Sequence, residues 1–343
     1  MTEFIPIIFI SGVISFIATP LVRRLAQSAN FVDNPSTRKV HAVPMPMLGG
    51  VAIYIALVGA VIVSRVQSYT EMLAILGGAT VMTLFGLWDD RVGISPAVKI
   101  VGQLIAGVLL ILGGIQVKLF GIQALNIALT LVWIVGICNA IHFQDNMDGL
   151  AAGLATAASA FFLGLAMLEG LQTVSILAAA LLGASIGFLY YNFNPASLFM
   201  GDAGSLLIGF VLAVLGIKLT FTGRPLAATW MIPIIILGVP IFDTTLVVFS
   251  RLRRGKHIYQ GGKDHTSHRL VASLGMTPAR SVMTLYVVAG VLGLMAIMLR
   301  DATPEQARLL LAVLVIVFIG ALAFLEVRFP NEPDAGPESP SSG

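Results

Sequence analysis

Asn139-Ala-Ile-His142-Phe-Gln-Asp145-Asn146-Met-Asp148-Gly149 lies between two long apolar runs, yet it carries two aspartates, two asparagines and a histidine. A carboxylate at the centre of a bilayer costs roughly 2.5–3.5 kcal/mol on insertion scales, so a chain keeps one at membrane depth only for a reason. Asp145 and Asp148 are three residues apart and share a face on a helical turn. Two carboxylates on one face repel unless a cation, a proton or a basic partner neutralises them.

Four further polar clusters interrupt the apolar pattern. Trp88-Asp89-Asp90-Arg91 closes an apolar helix, where the helix dipole disfavours acids. Adjacent carboxylates there are either a solvated helix end or a pair that shares Mg²⁺ with a polyphosphate. Asn192-Phe-Asn194-Pro195 through Gly201-Asp202-Ala-Gly204-Ser205 joins two helices. It reads either as an N-cap at Asp202 or as a ligand turn with Asn192 as an amide donor. Asp243 stands eight residues before Arg251 on an apolar helix, either paired with a base or lining a polar cavity. His265 and His268, with Arg269, Arg253, Arg254, Lys256 and Lys263, form a basic loop suited to phosphate oxygens or to anionic headgroups.

The elements that position these clusters are membrane helices. The 343 residues are 57% hydrophobic and only 11% charged, against about 25% charged in soluble domains. Apolar stretches near 4–22, 48–64, 72–88, 97–113, 125–141, 150–168, 172–190, 203–220, 229–249, 281–299 and 307–327 predict an all-α polytopic protein of about eleven transmembrane helices. Fourteen of the twenty lysines and arginines fall in one alternate set of loops and six in the other. The positive-inside rule then puts the N-terminus outside and the C-terminus in the cytoplasm. Asp33, Asp89, Asp90, Asp145, Asp148, Asp202 and Asp264 all fall on the basic, cytoplasmic side. Residues 1–329 read as one membrane domain with cytoplasmic site loops, and 330–343 as a disordered tail. The single Cys138 lies in an apolar run and leaves no intrachain disulfide or cysteine metal cluster.

Taken together, the clusters resemble the polyprenyl-phosphate N-acetylhexosamine-1-phosphate transferase family. The motifs here are Arg38-Lys39-x-His41 with Pro44-Met-Pro-Met-Leu-Gly-Gly, Trp88-Asp89-Asp90, and Asn139 with Asp145-x-x-Asp148-Gly-Leu-Ala. They continue with Asn192-x-x-Pro and Phe-Met-Gly-Asp202-x-Gly-Ser, Pro240-x-x-Asp243-Thr, and His265-x-x-His268-Arg-Leu. The match runs in order over about residues 1–328.

The resemblance implies a multi-pass enzyme of the plasma (inner) membrane, working at its cytoplasmic face. It would move N-acetylhexosamine-1-phosphate from a UDP-sugar to undecaprenyl or another polyprenyl phosphate, with Mg²⁺ or Mn²⁺, releasing UMP as the first membrane step of envelope polysaccharide synthesis. It implies Asp202 as chief metal ligand with Asp90 and Asp148 as further ligands, and Asp89 as the group that accepts the lipid phosphate's proton. Asp145, Asp148 and Asn192 would shape the nucleotide side, and Lys39, His265, His268 and Arg269 would neutralise phosphate oxygens. His41, Asn139, Asp243, Arg253 and Lys263 complete the substrate contacts. A homodimer is compatible with the resemblance, and no nucleic-acid partner is implied.

Ser267 stands where the family often has a histidine, and His142, Asn146 and Asn194 also depart from the usual residues. The phospho-N-acetylmuramoyl-pentapeptide branch usually shows a run of three histidines, so this chain sits nearer the GlcNAc-1-phosphate branch. A cation-coupled secondary transporter of an anionic substrate would place polar groups near the midplane and repeat its halves. Here the polar groups gather at one edge and no repeat is visible.

Overall fold

The computed structural model describes residues 3–33, 44–64, 68–258 and 262–329. Arg38, Lys39, His41 and the tail from residue 330 lie outside them. Fourteen helices and one two-stranded ladder follow in order among the described residues. They are α1 (Ile5–Ser28), β1 (Val32–Asp33), β2 (Met45–Pro46), α2 (Gly49–Ile62), α3 (Tyr69–Val92), α4 (Pro96–Leu112), α5 (Gln123–His142), α6 (Leu150–Leu168) and α7 (Gln172–Asn192). After them come α8 (Gly201–Lys218), α9 (Leu226–Thr229), α10 (Ile232–Ile236), α11 (Gly238–Arg253), α12 (Thr266–Leu274), α13 (Pro278–Arg300) and α14 (Pro304–Arg328).

Among the described residues eight helices, α1, α3, α5, α6, α7, α8, α13 and α14, are long and apolar enough to cross a membrane. The stretch Leu226–Ile236 meets Gly238–Arg253 at a 72° bend and makes a ninth if the two are one span. α2 and α4 are shorter apolar helices. The eleven expected stretches are therefore all helical but not all alike: eight full-length, one broken, two short.

Local sequence sets the helix boundaries. Pro96, Pro278 and Pro304 occupy the first turns of α4, α13 and α14, where the missing N–H is no loss. Thr303 and Gln306 form a reciprocal capping box at the start of α14. α8 is apolar on every side and is buried almost end to end, with α7; α14 is mostly exposed, as a lipid-facing helix should be.

α8 is the hub against which α2, α3 and α5 pack. A Cβ on Gly50 or Gly86 would collide with the backbone at Ala203 and Gly204, so glycine there lets α2 and α3 reach the first turn of α8. The Pro-rich segment before α2 is ordered against the same turn. Phe199 N–H donates to Pro46 O at 2.9 Å, and Gly50 N–H donates to Met200 O at 2.8 Å. These contacts fix where Asp202 emerges.

Candidate active site

The C-terminal end of α3, the first turn of α4 and the first turn of α8 form a carboxylate cradle. Asp90 accepts the backbone N–H groups of Asp202 at 2.8 Å and Ala203 at 3.2 Å. It thereby satisfies donors that a helix N-terminus leaves orphaned. Gly201 sits at φ +72°, and a Cβ there would stand 2.6 Å from Asp90 Oδ2, so glycine permits this cross-helix cap. Asp202 is thus not the N-cap; its side chain is free to face the cradle. Lys99 Nζ lies 2.7 Å from Asp202 Oδ2 and also closes on Asp89 Oδ2. Asp89 Oδ1 accepts Ile94 N–H at 2.7 Å, which folds the short α3–α4 turn and brings Lys99 back over the pair.

α5 delivers the next groups. His142 Nδ1 is 3.1 Å from Ser205 Oγ and 3.6 Å from Asp202 Oδ1. Beyond it Asp145 is only partly exposed. Burial, then the charges of Asp202 and Asp148, push its carboxyl up to about 7. Asp148 Oδ2 accepts Ala196 N–H at 2.9 Å and Asn194 Nδ2–H at 3.2 Å. Among the described residues Lys99 is the only lysine or arginine that pairs with any of Asp89, Asp90, Asp145, Asp148 and Asp202.

The basic loop meets this cradle through α12. Asp243 is 1% exposed and accepts three donors: Thr266 N–H at 2.5 Å, His265 Nδ1 at 2.8 Å and Gln144 Nε2 at 3.0 Å. The ring of His265 packs edge-on to Phe143, with centroids 5.7 Å apart, and His268 is 6.4 Å from it. Ser267 Oγ is 2.6 Å from Asn146 Oδ1. The loop after α5 and the start of α12 are therefore stitched together. Burial, with the charges of His265 and Lys263, lowers the His268 imidazole to about 4. It is neutral at pH 7.

Several expected contacts are displaced. Asp243 accepts His265, Thr266 and Gln144 together and so orients the histidine. Arg269 is fully buried: Nη1 meets Glu326 Oε2 at 2.7 Å, Nε donates to Asp264 O at 2.7 Å, and the guanidinium lies 4.4 Å over the Phe329 ring. Its guanidinium is buried against the C-terminal helix, where it shares Glu326 with Arg254. Arg253 is paired with the same Glu326 at 2.8 Å. Asn192 uses its oxygen on Gly149 N–H at 3.1 Å and its amide on Leu198 O at 3.0 Å, clamping two loops. Asn139 donates to Gln103 Oε1 and Val135 O. Lys263 is exposed beside His268. Lys39 and His41 fall outside the described residues.

Lys99 and His142 are the groups that motif reasoning passed over. Lys99 enters the sequence pattern only as one of the fourteen basic residues of the alternate loops. Its signal was a lysine in the first turn of an apolar helix, nine residues after the paired aspartates. His142 stands out in the sequence only as a departure from the family's usual residue.

Among the described residues no three His, Cys, Asp or Glu side chains already converge as a metal cage. The donor set at the cradle still suits a hard divalent cation, being carboxylate oxygens throughout. The Lys99 ammonium held between Asp89 and Asp202 shows that a cation fits there.

The sequence model of glycosyl transferase family 4 matches residues 72–220, which begin in α3, carry the whole cradle and end just past α8. The chain is 37% identical over 309 residues to the probable undecaprenyl-phosphate N-acetylglucosaminyl 1-phosphate transferase of Bacillus subtilis, covering 88% of this chain and 86% of that protein. It is 32% identical over 321 residues to the decaprenyl-phosphate N-acetylglucosaminephosphotransferase of Mycobacterium tuberculosis, covering 82% and 78%. The undecaprenyl-phosphate alpha-N-acetylglucosaminyl 1-phosphate transferase of Escherichia coli is 25% identical over 342 residues, covering 93% and 89%. With its aspartate motifs gathered at one end of the bundle and relatives of this identity along nearly its whole length, the chain belongs to glycosyl transferase family 4, the polyprenyl-phosphate N-acetylhexosamine-1-phosphate transferases.

Proposed function

We propose that this protein transfers N-acetylglucosamine-1-phosphate from UDP-GlcNAc to a polyprenyl phosphate such as undecaprenyl phosphate, releasing UMP, at the cytoplasmic face of the plasma membrane. The observation that carries the reading is the convergence of Asp89, Asp90, Asp145, Asp148 and Asp202 with Lys99, His142, His265 and His268 at one end of the bundle. The acceptor keeps its chain in the bilayer and its phosphate at the surface, so it reaches the cradle from between helices.

A lipid-phosphate oxygen attacks the sugar-bearing phosphorus, a new P–O bond forms, the bond to UMP breaks, and UMP carries away the electron pair. The second pKa of a phosphate is about 6, so the nucleophile is already largely ionised at pH 7 and needs little base. Positioning and charge neutralisation are therefore the protein's main tasks. Lys99 supplies positive charge inside the cradle. His265, fixed by Asp243, and the neutral His268 offer ring N–H groups to phosphate oxygens; an arriving phosphate raises the affinity of His268 for a proton. Asp202 and Asp89, with Asp90 and Asp148 behind them, would hold Mg²⁺. When bound, that ion neutralises charge on the diphosphate.

The purified protein, incubated with undecaprenyl phosphate, Mg²⁺ and a panel of UDP-sugars, should release UMP with UDP-GlcNAc and require the divalent ion. UMP release with UDP-N-acetylmuramoyl-pentapeptide instead would move the chain to the other branch. The proposed topology is eleven membrane passes with the N-terminus outside, counting the short and broken helices. In a Cys138→Ala background, Ile258→Cys should react with an impermeant thiol reagent only from the cytoplasm and Gly121→Cys only from outside. The reverse pattern would overturn the orientation.

A further inference from the structure

The end of the bundle remote from the aspartates contains a cavity of about 850 Å³. The α4–α5 loop, the α6–α7 turn, the last turn of α8 and the α9–α10 stretch line it, and it is open on one side. Helix ends at the cavity are the opposite ends to those that bear the cradle: Glu71 begins α3 where Asp90 nearly ends it, and Lys218 ends α8 where Asp202 begins it. The cavity is thus separated from the transfer site by the length of the helices.

Its lining is amphipathic. Two of the three tryptophans in the chain, Trp133 and Trp230, form part of the wall. Trp133 is fixed there because Nε1 donates to Ala213 O at 3.0 Å. Leu226, Phe120 and Trp230 are 56, 48 and 42% exposed, so the rim continues into the apolar flank of the protein. Charges sit beside these rings. Lys218 pairs with Glu71 at 2.7 Å, and Arg224 is held by Glu169 and Asp301. Lys118 is exposed on the wall and has no carboxylate partner among the described residues.

An occupant must enter from the bilayer, match aromatic walls with apolar chain, and carry a negative group for Lys118. A nucleotide lacks the chain. The far end of a prenyl chain lacks the charge. A cavity of this size is within the usual range of about 300–1,000 Å³ for ligand sites; it suits a headgroup with the first part of its chains. We propose that this cavity binds a membrane glycerophospholipid, its phosphate on Lys118 with Arg224 nearby and its upper acyl chains against Trp133 and Trp230. Tryptophan at this level is already favoured by the polar edge of its ring.

The two tryptophans make the site readable. In a Trp88→Phe background, delipidated protein in detergent is titrated with phosphatidylglycerol brominated on its acyl chains. Fluorescence should fall saturably. Lys118→Ala should raise the midpoint about fivefold, the loss expected for one basic contact near a lipid phosphate, and Lys118→Arg should restore it. Gel filtration and circular dichroism establish that each variant is folded. Glycerol phosphate without chains should not displace the lipid. Quenching that rises linearly without saturation would overturn the proposal. So would an unchanged midpoint in Lys118→Ala, or equal quenching by a brominated diacylglycerol that has no phosphate. Stronger competition by undecaprenyl phosphate than by phosphatidylglycerol would also overturn it, because the cavity would then belong to the acceptor.

Discussion

The cradle at α3 and α8 and the basic loop around α12 treat charge in opposite ways. Around α12 each buried acid has a basic partner: Asp243 has His265, Asp264 has Arg251 at 2.7 Å, and Glu326 has Arg253, Arg254 and Arg269. At the cradle and the loop after α5, Asp89, Asp90, Asp145, Asp148 and Asp202 gather, and among the described residues Lys99 is the one lysine or arginine paired with any of them, through Asp89 and Asp202. Removing a partner from a matched buried pair leaves an uncompensated charge and destabilises the fold. Removing a carboxylate from a crowded, under-neutralised cluster relieves repulsion instead. The paired acids around α12 fasten the fold, whereas the crowded carboxylates are where it carries unbalanced charge, which is why the proposed chemistry is assigned to them.

The largest expected effect is at the centre of the cradle. Asp202→Asn keeps size and polarity but removes the carboxylate that meets both Lys99 and His142. Turnover should fall about 10³-fold or more, ~4 kcal/mol of transition-state stabilisation, while the melting temperature changes by no more than a few degrees. Near-normal turnover at ordinary Mg²⁺ would make Asp202 a structural residue and erase the contrast.

Arg269→Ala should do the reverse. It leaves Glu326 buried beside fewer partners and should cost about 3 kcal/mol of stability, measured by denaturation in detergent. The surviving folded fraction should retain kcat within about threefold. A tenfold loss of kcat at full stability would return Arg269 to the active site. His268→Ala is expected to lower kcat at least tenfold, ~1.4 kcal/mol, with melting little changed, because His268 takes part in none of the matched pairs.

Asp145→Asn gives a pH-dependent test of the crowded cluster. The folded carboxyl is held up near 7, against about 3.9 unfolded, so its ionised form costs stability. That cost is absent below about pH 4, grows between there and 7, and is complete above 7. The substitution should therefore raise the melting temperature of the metal-free protein by a few degrees at pH 8 and leave it unchanged at pH 4. A lower melting temperature at pH 8 would mean that Asp145 has an undetected cationic partner. The smallest effect is expected for Ser267→Ala, which removes the 2.6 Å contact to Asn146 Oδ1 and should cost about 1 kcal/mol, with little change in kcat.

The amino-acid sequence by itself determined the membrane class, the helical stretches and which aspartates stand beside apolar runs. Apolar length and the sparse placement of charge are local properties, and an acid beside an apolar run is conspicuous without any fold. The paired Asp89-Asp90 and the Asp145–Asp148 spacing were legible for that reason. What the sequence could not show is how each charge is used. Asp90 and Asp202 are 112 residues apart, yet one caps the helix that presents the other. Arg269 stands in a basic run that looks made for phosphate, but Glu326, 57 residues on, takes its charge. Lys99 reads in the sequence as a loop cation, yet the three-residue turn between α3 and α4 folds it back between two carboxylates. For Asp243 the sequence leaves open pairing or lining a cavity, and the approach of His265, with Thr266 and Gln144, decides for pairing. Each of these depends on helices that meet in space but not in the chain. Neutralisation is a property of distance between side chains, so only the tertiary structure could separate the charges that hold the fold together from those left free to act.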